Sequence, residues 1–331
     1  AGQCCGGSAM KAAIYTRYGS PDVVQITDVK KPSPRDNEVL IKIRAAAVNP
    51  LDWHFMRGEP YVVRIMAGLR KPGITGLGVD VAGEVEAVGR SVTEFKAGDE
   101  VFGACRGSFA EYGCTPESSL AAKPRNVTFE QAGAVSVAGR TALQGLRDKG
   151  RIQAGQKVLV NGAAGGVGTF VVQLAKWFGA NVTGVCSTKN VELVRSLGAD
   201  RVIDYTQEDF AKGGLRYDIF FDCFANHSLS DCRRILNPRG RYIAVGGPSG
   251  PWMLDLLGRV IAGPVLSVLT SQKFLTFMAQ SSKEDLCILG ELMGAGKVTA
   301  VIDRRYTLSE VPEAIRYVEE GHARGKVVIT L

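Results

Sequence analysis

The stretch Asn161–Phe170 reads NGAAGGVGTF and directly follows a short apolar run at 157–160. Apolar residues then recur at helical spacing, on one face of the predicted helix, at Val167, Val171, Leu174, Ala175 and Phe178. In the order strand, glycine-rich turn and helix, free backbone N–H groups and the positive end of a helix dipole meet where a pyrophosphate can bind. The spacing of Gly162, Gly165 and Gly168 is a variant of the dinucleotide-binding fingerprint. The turn 165–168 (Gly165, Gly166, Val167 and Gly168) is therefore predicted to contact a coenzyme.

From about Glu130 onward, strand and helix patterns alternate. Helical spacing runs first over 130–149. Strands are then predicted over 157–161, 181–186, 201–204, 217–223 and 241–246, and helices over 166–178, 190–197, 206–210 and 229–236. This alternation is typical of an α/β domain with a doubly wound parallel sheet, the Rossmann arrangement. Near-continuous apolar strands such as 219–221 suit burial on both faces of such a sheet.

The first third of the chain has a different texture, with short alternating runs broken by Pro, Gly and Asp, which predict a β-rich, barrel-like domain. Strand-like runs return at 298–302 and 326–331 around a helix at 308–320, and this segment is expected to rejoin the first domain. The predicted boundaries are therefore 10–132 with 275–331 for the barrel-like domain and 133–274 for the dinucleotide-binding domain. Residues 1–9 precede a plausible native start at Met10 and are interpreted as a cloning remnant or a disordered tail.

Composition narrows the class of protein further. The net charge of +7 is mild and no block of like charges is present, so a solvated surface is favoured over a nucleic-acid site. Eight cysteines without a C-x-x-C pair, and only three histidines, offer no structural zinc cluster and fit the cytoplasm or another reducing compartment. The apolar stretch 252–269 is interrupted by charges, Gly and Pro, and is read as a pocket wall or an interface helix of a soluble protein. Peripheral membrane contact through it is kept as an alternative.

The residues after the second predicted strand favour NADPH over NADH. An NAD site usually carries Asp or Glu there, bonded to the ribose 2′-hydroxyl. Here the stretch 185–190 has no carboxylate and offers Ser187 and Lys189, which can bond and neutralise a 2′-phosphate. A helix cap for Ser187 and a solvated lysine for Lys189 are the alternatives. Tyr205, after the third strand, is a candidate for the same phosphate or simply an exposed aromatic residue.

Other candidates end the later strands, where ligands bind along the carboxyl edge of such a sheet. Phe224 and Ala225 follow the fourth strand, and Gly246 and Gly247 follow the fifth, where they either admit the nicotinamide or form a plain turn.

Several further motifs occur in one order along the chain: 49–52 (NPLD), 78–83 (GVDVAG), 96–101 (KAGDEV), 139–142 (GRTA), 161–168, 197–200 (LGAD) and 325–328 (GKVV). This series resembles the zinc-independent quinone oxidoreductase branch of the medium-chain dehydrogenase/reductase superfamily. The resemblance covers essentially all of 10–331. It implies a GroES-like barrel domain, a Rossmann domain, a cleft between them and a homodimer formed by joining Rossmann sheet edges.

The same resemblance bears on metals. Zinc-dependent relatives carry Cys at the position of Asn49 and His-Glu at Val79 and Asp80, so no metal is expected here. The Asn49 amide is the candidate for polarising a substrate carbonyl or bonding the nicotinamide ribose, with a turn-forming role as its alternative. Asp52 is the second catalytic candidate, either orienting neighbours or handling protons. His54 is interpreted as a surface residue.

Two further residues are candidates for coenzyme contact. Thr141 either touches the nicotinamide end or packs its helix, and Lys326 either reaches the coenzyme or is solvated. Tyr61, Trp252 and Phe274 could wall a lipophilic substrate pocket or serve as packing.

The predicted function is transfer of a hydride from NADPH, without a metal, to a quinone or to the C=C bond of an α,β-unsaturated carbonyl. A coenzyme-binding protein with a structural or RNA-binding role and little turnover is one alternative. A metal-dependent alcohol dehydrogenase is the other and is disfavoured by the missing ligands.

Overall fold

A computed structural model describes residues 8–59, 61–73, 75–245 and 253–331. Its contacts divide the chain into two compact units. The first unit comprises the described residues up to Val137 together with 281–294 and 302–331, and the second comprises 138–280 and 295–301. The chain therefore passes back into the second unit once more near its end, a return for which the sequence gives no signal.

Strands and helices follow one another along the described residues. The strands are β1 (Ala9–Ile14), β2 (Gln25–Lys30), β3 (Glu38–Val48), β4 (Asp80–Val88), β5 (Glu100–Ala104), β6 (Tyr112–Pro116), β7 (Leu120–Ala122), β8 (Lys157–Asn161), β9 (Asn181–Cys186), β10 (Arg201–Asp204), β11 (Tyr217–Asp222), β12 (Leu236–Ala244), β13 (Lys273–Thr276), β14 (Ile302–Thr307) and β15 (Lys326–Thr330). The helices are α1 (Pro50–Arg57), α2 (Tyr61–Ala67), α3 (Phe129–Gly133), α4 (Ser136–Gln144), α5 (Gly166–Trp177), α6 (Val191–Ser196), α7 (Leu229–Arg234), α8 (Met253–Leu269), α9 (Lys283–Gly294) and α10 (Val311–Glu319).

The first unit is built on a seven-stranded sheet in the order β14-β15-β3-β4-β5-β7, with β6 paired to β3. Its pairs are antiparallel except for β14 with β15. Inward-facing Val39, Ile41 and Ile43 of β3 are buried together with Val81 and Val85 of β4. This alternation of buried and solvated positions is the pattern from which a β-rich domain is predicted.

The second unit holds a six-stranded sheet in the order β10-β9-β8-β11-β12-β13, and every pair in it is parallel. Leu159, Phe220 and Phe221 are completely buried, as expected for strands covered on both faces. All carboxyl ends of these strands lie along one edge. The predicted α/β fold class with a parallel, doubly wound sheet is confirmed.

Two predicted elements are wrong. The predicted helix at 206–210 is a turn, because the Asp204 carboxylate accepts from the Thr206 backbone N–H at 2.9 Å and from its hydroxyl at 2.8 Å. Such side-chain bonds compete with helix formation. The predicted strand at 298–302 is displaced to β14, because both backbone groups of Thr299 bond the Gln173 side chain of α5, at 2.9 and 3.0 Å.

Further differences concern where elements begin and end, and one strand that was not predicted. The predicted helical stretch 130–149 is divided into α3, α4 and a short π-helical turn at Gly145–Lys149. Strand β13 has no counterpart in the prediction. Ala9, which was assigned to a disordered tail, lies inside β1 opposite Lys30.

Candidate active site and coenzyme site

The glycine-rich turn joins β8 to α5 as predicted, and two of its glycines are required by its geometry. Gly162 has φ +81°, a left-handed conformation that side chains disfavour. A Cβ on Gly168 would lie only 2.0 Å from the carbonyl oxygen of Gly162, so the start of α5 packs directly against the turn. Gly165 is the N-cap of α5, followed by Gly166 and Val167 in the first turn. The four predicted residues thus lie together at a helix N-terminus, which favours an anion.

The candidates for the 2′-phosphate lie beside that turn. The Ala163 N–H donates to Val185 O at 3.0 Å, which places the turn against the end of β9. The Tyr205 N–H donates to Cys186 O at 3.0 Å, so the end of β10 adjoins the same place. Ser187, Lys189 and Tyr205 are therefore brought to one region of the carboxyl edge. Their contact with a coenzyme stays a prediction.

A carboxylate that the sequence analysis missed also lies in this region. Asp204 pairs with Cys186 across the two strands, and one of its oxygens accepts from the Thr188 hydroxyl at 2.5 Å. This bond lowers the pKa of Asp204, so the group is ionised near Lys189. The usual coenzyme carboxylate follows the second strand directly, whereas Asp204 ends the neighbouring strand. The register of two parallel strands is what brings it there.

The loop after β11 also lies at the carboxyl edge of the sheet. Ala225 has φ +52° and its N–H donates to Asp222 at 2.8 Å, and the Phe224 N–H donates to the same oxygen at 3.1 Å. The Phe224 ring lies over the glycine-rich turn, since a Cβ on Gly162 would approach that ring to 2.8 Å. The two predicted residues and the turn are thus neighbours. Gly246 and Gly247, predicted to end the fifth strand, lie outside the described residues.

The remaining candidate residues of the second unit are Thr141, Phe274 and Trp252. Thr141 is half-buried on α4. Phe274 is 4% exposed and packs among core side chains, with its ring 5.8 Å from that of Tyr242, which agrees with the packing alternative, and its part in a pocket wall stays a prediction. Trp252 lies outside the described residues.

In the first unit, Tyr61 is 70% exposed and its ring lies against the Arg64 guanidinium, 4.6 Å away. Its part in the wall of a substrate pocket stays a prediction. His54 is half-buried, stacks on Trp53 with ring centroids 3.6 Å apart, and its Nδ1 lies 2.9 Å from Glu59 O. Burial lowers the pKa of His54.

The first unit contains a buried polar cluster of Asn49, Asp52, Asp80 and Lys326, each at most 4% exposed. The Lys326 ammonium donates to Asn49 Oδ1 at 2.5 Å and to Asp80 Oδ2 at 3.1 Å. Asn49 in turn donates through Nδ2 to Asp80 at 3.0 Å and to Ala47 O at 3.2 Å. Lys326 is therefore not a solvated lysine, and it fixes the orientation of the Asn49 amide.

Asp80 was not predicted as a site residue. It accepts from the Val137 backbone N–H at 2.7 Å through its second oxygen, and it is completely buried. The signal in the sequence is a carboxylate at the first position of β4, followed by the small and apolar residues 81–83. Its partner Lys326 is 246 residues away along the chain, so no local pattern connects the two.

Asp52 orients the backbone around this cluster. Its two oxygens accept from the Asn49 N–H at 2.7 Å and from the Gly78 N–H at 3.2 Å. The first of these bonds caps α1 and fixes the strand-to-helix corner on which Asn49 lies. Burial raises the pKa of Asp52 to about 7, and the charge of Asp80 adds to that rise while the two backbone bonds oppose it.

This pKa gives a pH-dependent prediction. The folded state keeps a proton on Asp52 at pH values where the unfolded carboxyl, with an ordinary pKa of 3.8, has lost it. The free energy of unfolding should therefore fall by ~3 kcal/mol as pH rises from about 4 to about 7. Urea titrations at several pH values measure how the free energy of unfolding depends on pH. The Asp52→Asn variant should lack the part of this dependence that comes from Asp52. An identical slope in protein and variant would contradict the assignment to Asp52.

Comparison with known proteins agrees with the architecture. The profile described as alcohol dehydrogenase GroES-like domain matches 35–125, and the one described as zinc-binding dehydrogenase matches 197–329. The chain is 34% identical to the chloroplast envelope quinone oxidoreductase homolog of Arabidopsis thaliana, over 98% of this chain and 99% of the relative. It is 35% identical to the chloroplastic NADPH-dependent alkenal/one oxidoreductase of the same plant, over 97% of this chain and 79% of the relative.

A solved structure extends the agreement. The quinone oxidoreductase of Coxiella burnetii superposes with a TM-score of 0.86 at 30% identity and covers 98% of this chain and all of the other. The chain belongs to the quinone oxidoreductase branch of the medium-chain dehydrogenase/reductase superfamily, as the order of its motifs indicated.

The description of one matched profile names zinc, but the buried cluster does not fit that ion. Zinc takes mainly Cys and His ligands. Here the oxygens of Asn49 and Asp80 already accept from the Lys326 ammonium, and a second cation would be repelled by it. Within 8–59, 61–73, 75–245 and 253–331, no group of three or more His, Cys, Asp or Glu side chains could hold a metal ion. In the same ranges, the helices are too short or too polar to cross a membrane.

Proposed function

We propose that this protein is an NADPH-dependent reductase that transfers a hydride to a quinone or to the C=C bond of an α,β-unsaturated carbonyl, without a metal ion. The observation that carries the proposal is the convergence of the glycine-rich turn, Ser187, Lys189 and Tyr205 at one part of the sheet edge. The printed names of the two plant relatives, a quinone oxidoreductase homolog and an NADPH-dependent alkenal/one oxidoreductase, support the same chemistry.

NADPH supplies the hydride when it is bound. The residues of the turn bind the pyrophosphate at the N-terminus of α5. Ser187 and Lys189 bond the 2′-phosphate, and both oxygens of Asp204 at the end of β10 are engaged by threonine hydroxyls. Because Asp204 keeps its negative charge, the preference for NADPH over NADH depends on the positive charge of Lys189.

In the first unit, the Asn49 amide stabilises the negative charge that develops on the substrate oxygen. Its longer bond, 3.2 Å to Ala47 O, is the one that it exchanges for that oxygen. Because the Lys326 ammonium bonds Asn49 Oδ1, it draws charge from the amide and makes the amide N–H a stronger donor. Lys326 thus strengthens the Asn49 amide as a hydrogen-bond donor.

The predicted homodimer stays a prediction.

The activity is tested by incubating purified protein with NADPH and, separately, with a 1,4-benzoquinone and with a medium-chain 2-alkenal. We expect loss of the absorbance of reduced nicotinamide with at least one acceptor. Tight coenzyme binding without turnover on either acceptor would refute the reductase and favour a binding protein.

Coenzyme preference is tested by the Lys189→Glu variant. It places a negative charge beside the 2′-phosphate, so the dissociation constant for NADPH should rise by at least ~10-fold while that for NADH changes little. The Lys157→Glu variant is the control, because it makes the same charge change at the amino end of β8, the opposite edge of the sheet. An unchanged ratio of the two dissociation constants in Lys189→Glu would contradict the assignment.

A further inference from the structure

Helix α8 carries a buried arginine in a mainly apolar stretch. Arg259 is 9% exposed, whereas Ile261 and Val268 of the same helix are 66% and 85% exposed. A guanidinium is almost never buried unless all of its surroundings are arranged to receive it. The contacts of Arg259 therefore indicate what this helix holds in place.

Arg259 is bonded to the carboxyl edge of the sheet at three points. One of its terminal nitrogens donates to the Tyr242 hydroxyl at 2.8 Å, and the other donates to Ala225 O at 2.7 Å and to His227 O at 2.5 Å. Both carbonyls belong to the loop that follows β11. The guanidinium thus clamps the loop that carries Phe224 and Ala225.

The Tyr242 hydroxyl links Arg259 to Asp222 through hydrogen bonds. It donates to Asp222 Oδ2 at 2.8 Å, and Asp222 is completely buried at the end of β11. The other oxygen, Oδ1, accepts from Asn161 Nδ2 at 2.9 Å and from the backbone N–H groups of Phe224 and Ala225. One carboxylate and one guanidinium, joined through a phenol, therefore fix the loop from both of its sides.

This network also reaches the glycine-rich turn. Asn161 is the last residue of β8 and the first of the NGAAGG stretch, and Phe224 covers Gly162. Ala225 is held at φ +52°, a left-handed conformation that is unfavourable for an alanine and persists only where neighbouring bonds enforce it. The Asp222 and Arg259 bonds to its N–H and C=O are the ones that enforce it.

We propose that Arg259, Tyr242 and Asp222 are positioning residues that hold the 223–228 loop and the glycine-rich turn in the geometry that binds the coenzyme. Arg259 of helix α8 then affects coenzyme affinity through the loop that it holds. The inference rests on the proposed function, because it names the residues that preorganise that coenzyme site.

The Tyr242→Phe variant is the sharpest test. It removes the hydroxyl link and keeps the ring, which packs 5.2 Å from Phe220 and 5.8 Å from Phe274. We expect the dissociation constant for NADPH, measured by the fluorescence of the bound nucleotide, to rise by about tenfold, the equivalent of ~1.4 kcal/mol. Arg259→Met should raise it further, and the double variant should show less than the product of the two effects, because both act on one network.

Arg216→Met is the matched control, since it removes an exposed arginine of the same unit next to the amino end of β11, and it should leave the dissociation constant unchanged. Arg259→Lys, which keeps a single donor group, should restore part of the affinity. A purely structural role would lower thermal stability in these variants but leave the dissociation constant as it was.

Amide hydrogen exchange of the coenzyme-free protein separates this inference from the proposed function. The N–H groups of Phe224 and Ala225 should exchange at least ~10-fold faster in Tyr242→Phe than in the unaltered protein. If the unaltered protein does not bind NADPH, the proposed function is wrong and the inference, which depends on it, is overturned with it. If the protein binds NADPH but the variants match it in both affinity and exchange, only the network is overturned. Faster exchange with unchanged affinity would likewise overturn it.

Discussion

Replacing Lys326 with methionine should lower the free energy of unfolding by ~3–5 kcal/mol, because it leaves the buried Asp80 carboxylate without its cation. Lys326 and Asp80 are 3% and 0% exposed, so water cannot take the place of the missing partner. Asn49 would at the same time lose the donor on its Oδ1, 2.5 Å away, and its amide would no longer be held toward Asp80. We therefore expect reductase turnover to fall by at least ~100-fold, a value typical for loss of one oxyanion support.

The matched control is the double variant Lys326→Met with Asp80→Asn. It removes both charges. The asparagine keeps an acceptor for the Val137 N–H, which donates to Asp80 at 2.7 Å in the unaltered protein. Urea unfolding should recover a large part of the lost stability in the double variant, whereas turnover should stay low. Equal stability of the single variant and the unaltered protein would show that the ion pair does not matter to folding.

Replacing Gly168 with alanine should abolish measurable coenzyme binding, with a loss of at least ~100-fold in affinity, because the turn itself must move. The added Cβ would stand 2.0 Å from Gly162 O and 2.9 Å from Ala163 Cα, and both atoms belong to backbone. Neither can rotate away as a side chain would, so α5 must separate from the turn. Stability should also fall by ~1–3 kcal/mol, the usual cost of overpacking.

Gly165→Ala serves as the comparison at the same turn. The nearest atom to its added Cβ is Gly162 O at 3.4 Å, an ordinary contact, and its φ of −83° suits any residue. The thermal unfolding temperature of Gly165→Ala should be nearly unchanged. Any loss of coenzyme affinity in this variant would therefore come from the added methyl group hindering the approach of the coenzyme. If Gly168→Ala bound the coenzyme normally, the close packing of α5 on the turn could not be a requirement of the site.

Much of the second unit could be predicted because its signals are local. Strands at 157–161, 181–186 and 201–204 have the predicted bounds, since apolar runs of that length between turn residues have few alternatives. Local signals failed where side chains bonded backbone elsewhere. Asp204 stops a helix at 206–210, and Gln173, 126 residues before Thr299, takes the backbone groups that a strand at 298–302 would use.

The candidate residues divide along the same line. Asn49 and Asp52 are predicted from the family resemblance of the 49–52 motif, and the glycines of the turn from their spacing, because both signals lie within a few residues. Asp80, Asp204 and Arg259 are not found, because their roles come from partners on other strands and helices. Their importance depends on burial and on charge pairing, and neither is visible in a stretch of ten residues.

Local spacing and the order of motifs indicate the family, the glycine-rich turn and most of the strands and helices of the second unit. Tertiary contacts alone place Lys326 beside Asn49 and Asp80, Asp204 opposite the end of β9 and Arg259 against the loop after β11. No local pattern could indicate them, because these contacts join residues far apart along the chain. Burial then makes each unpaired charge so costly that its partner has to be present.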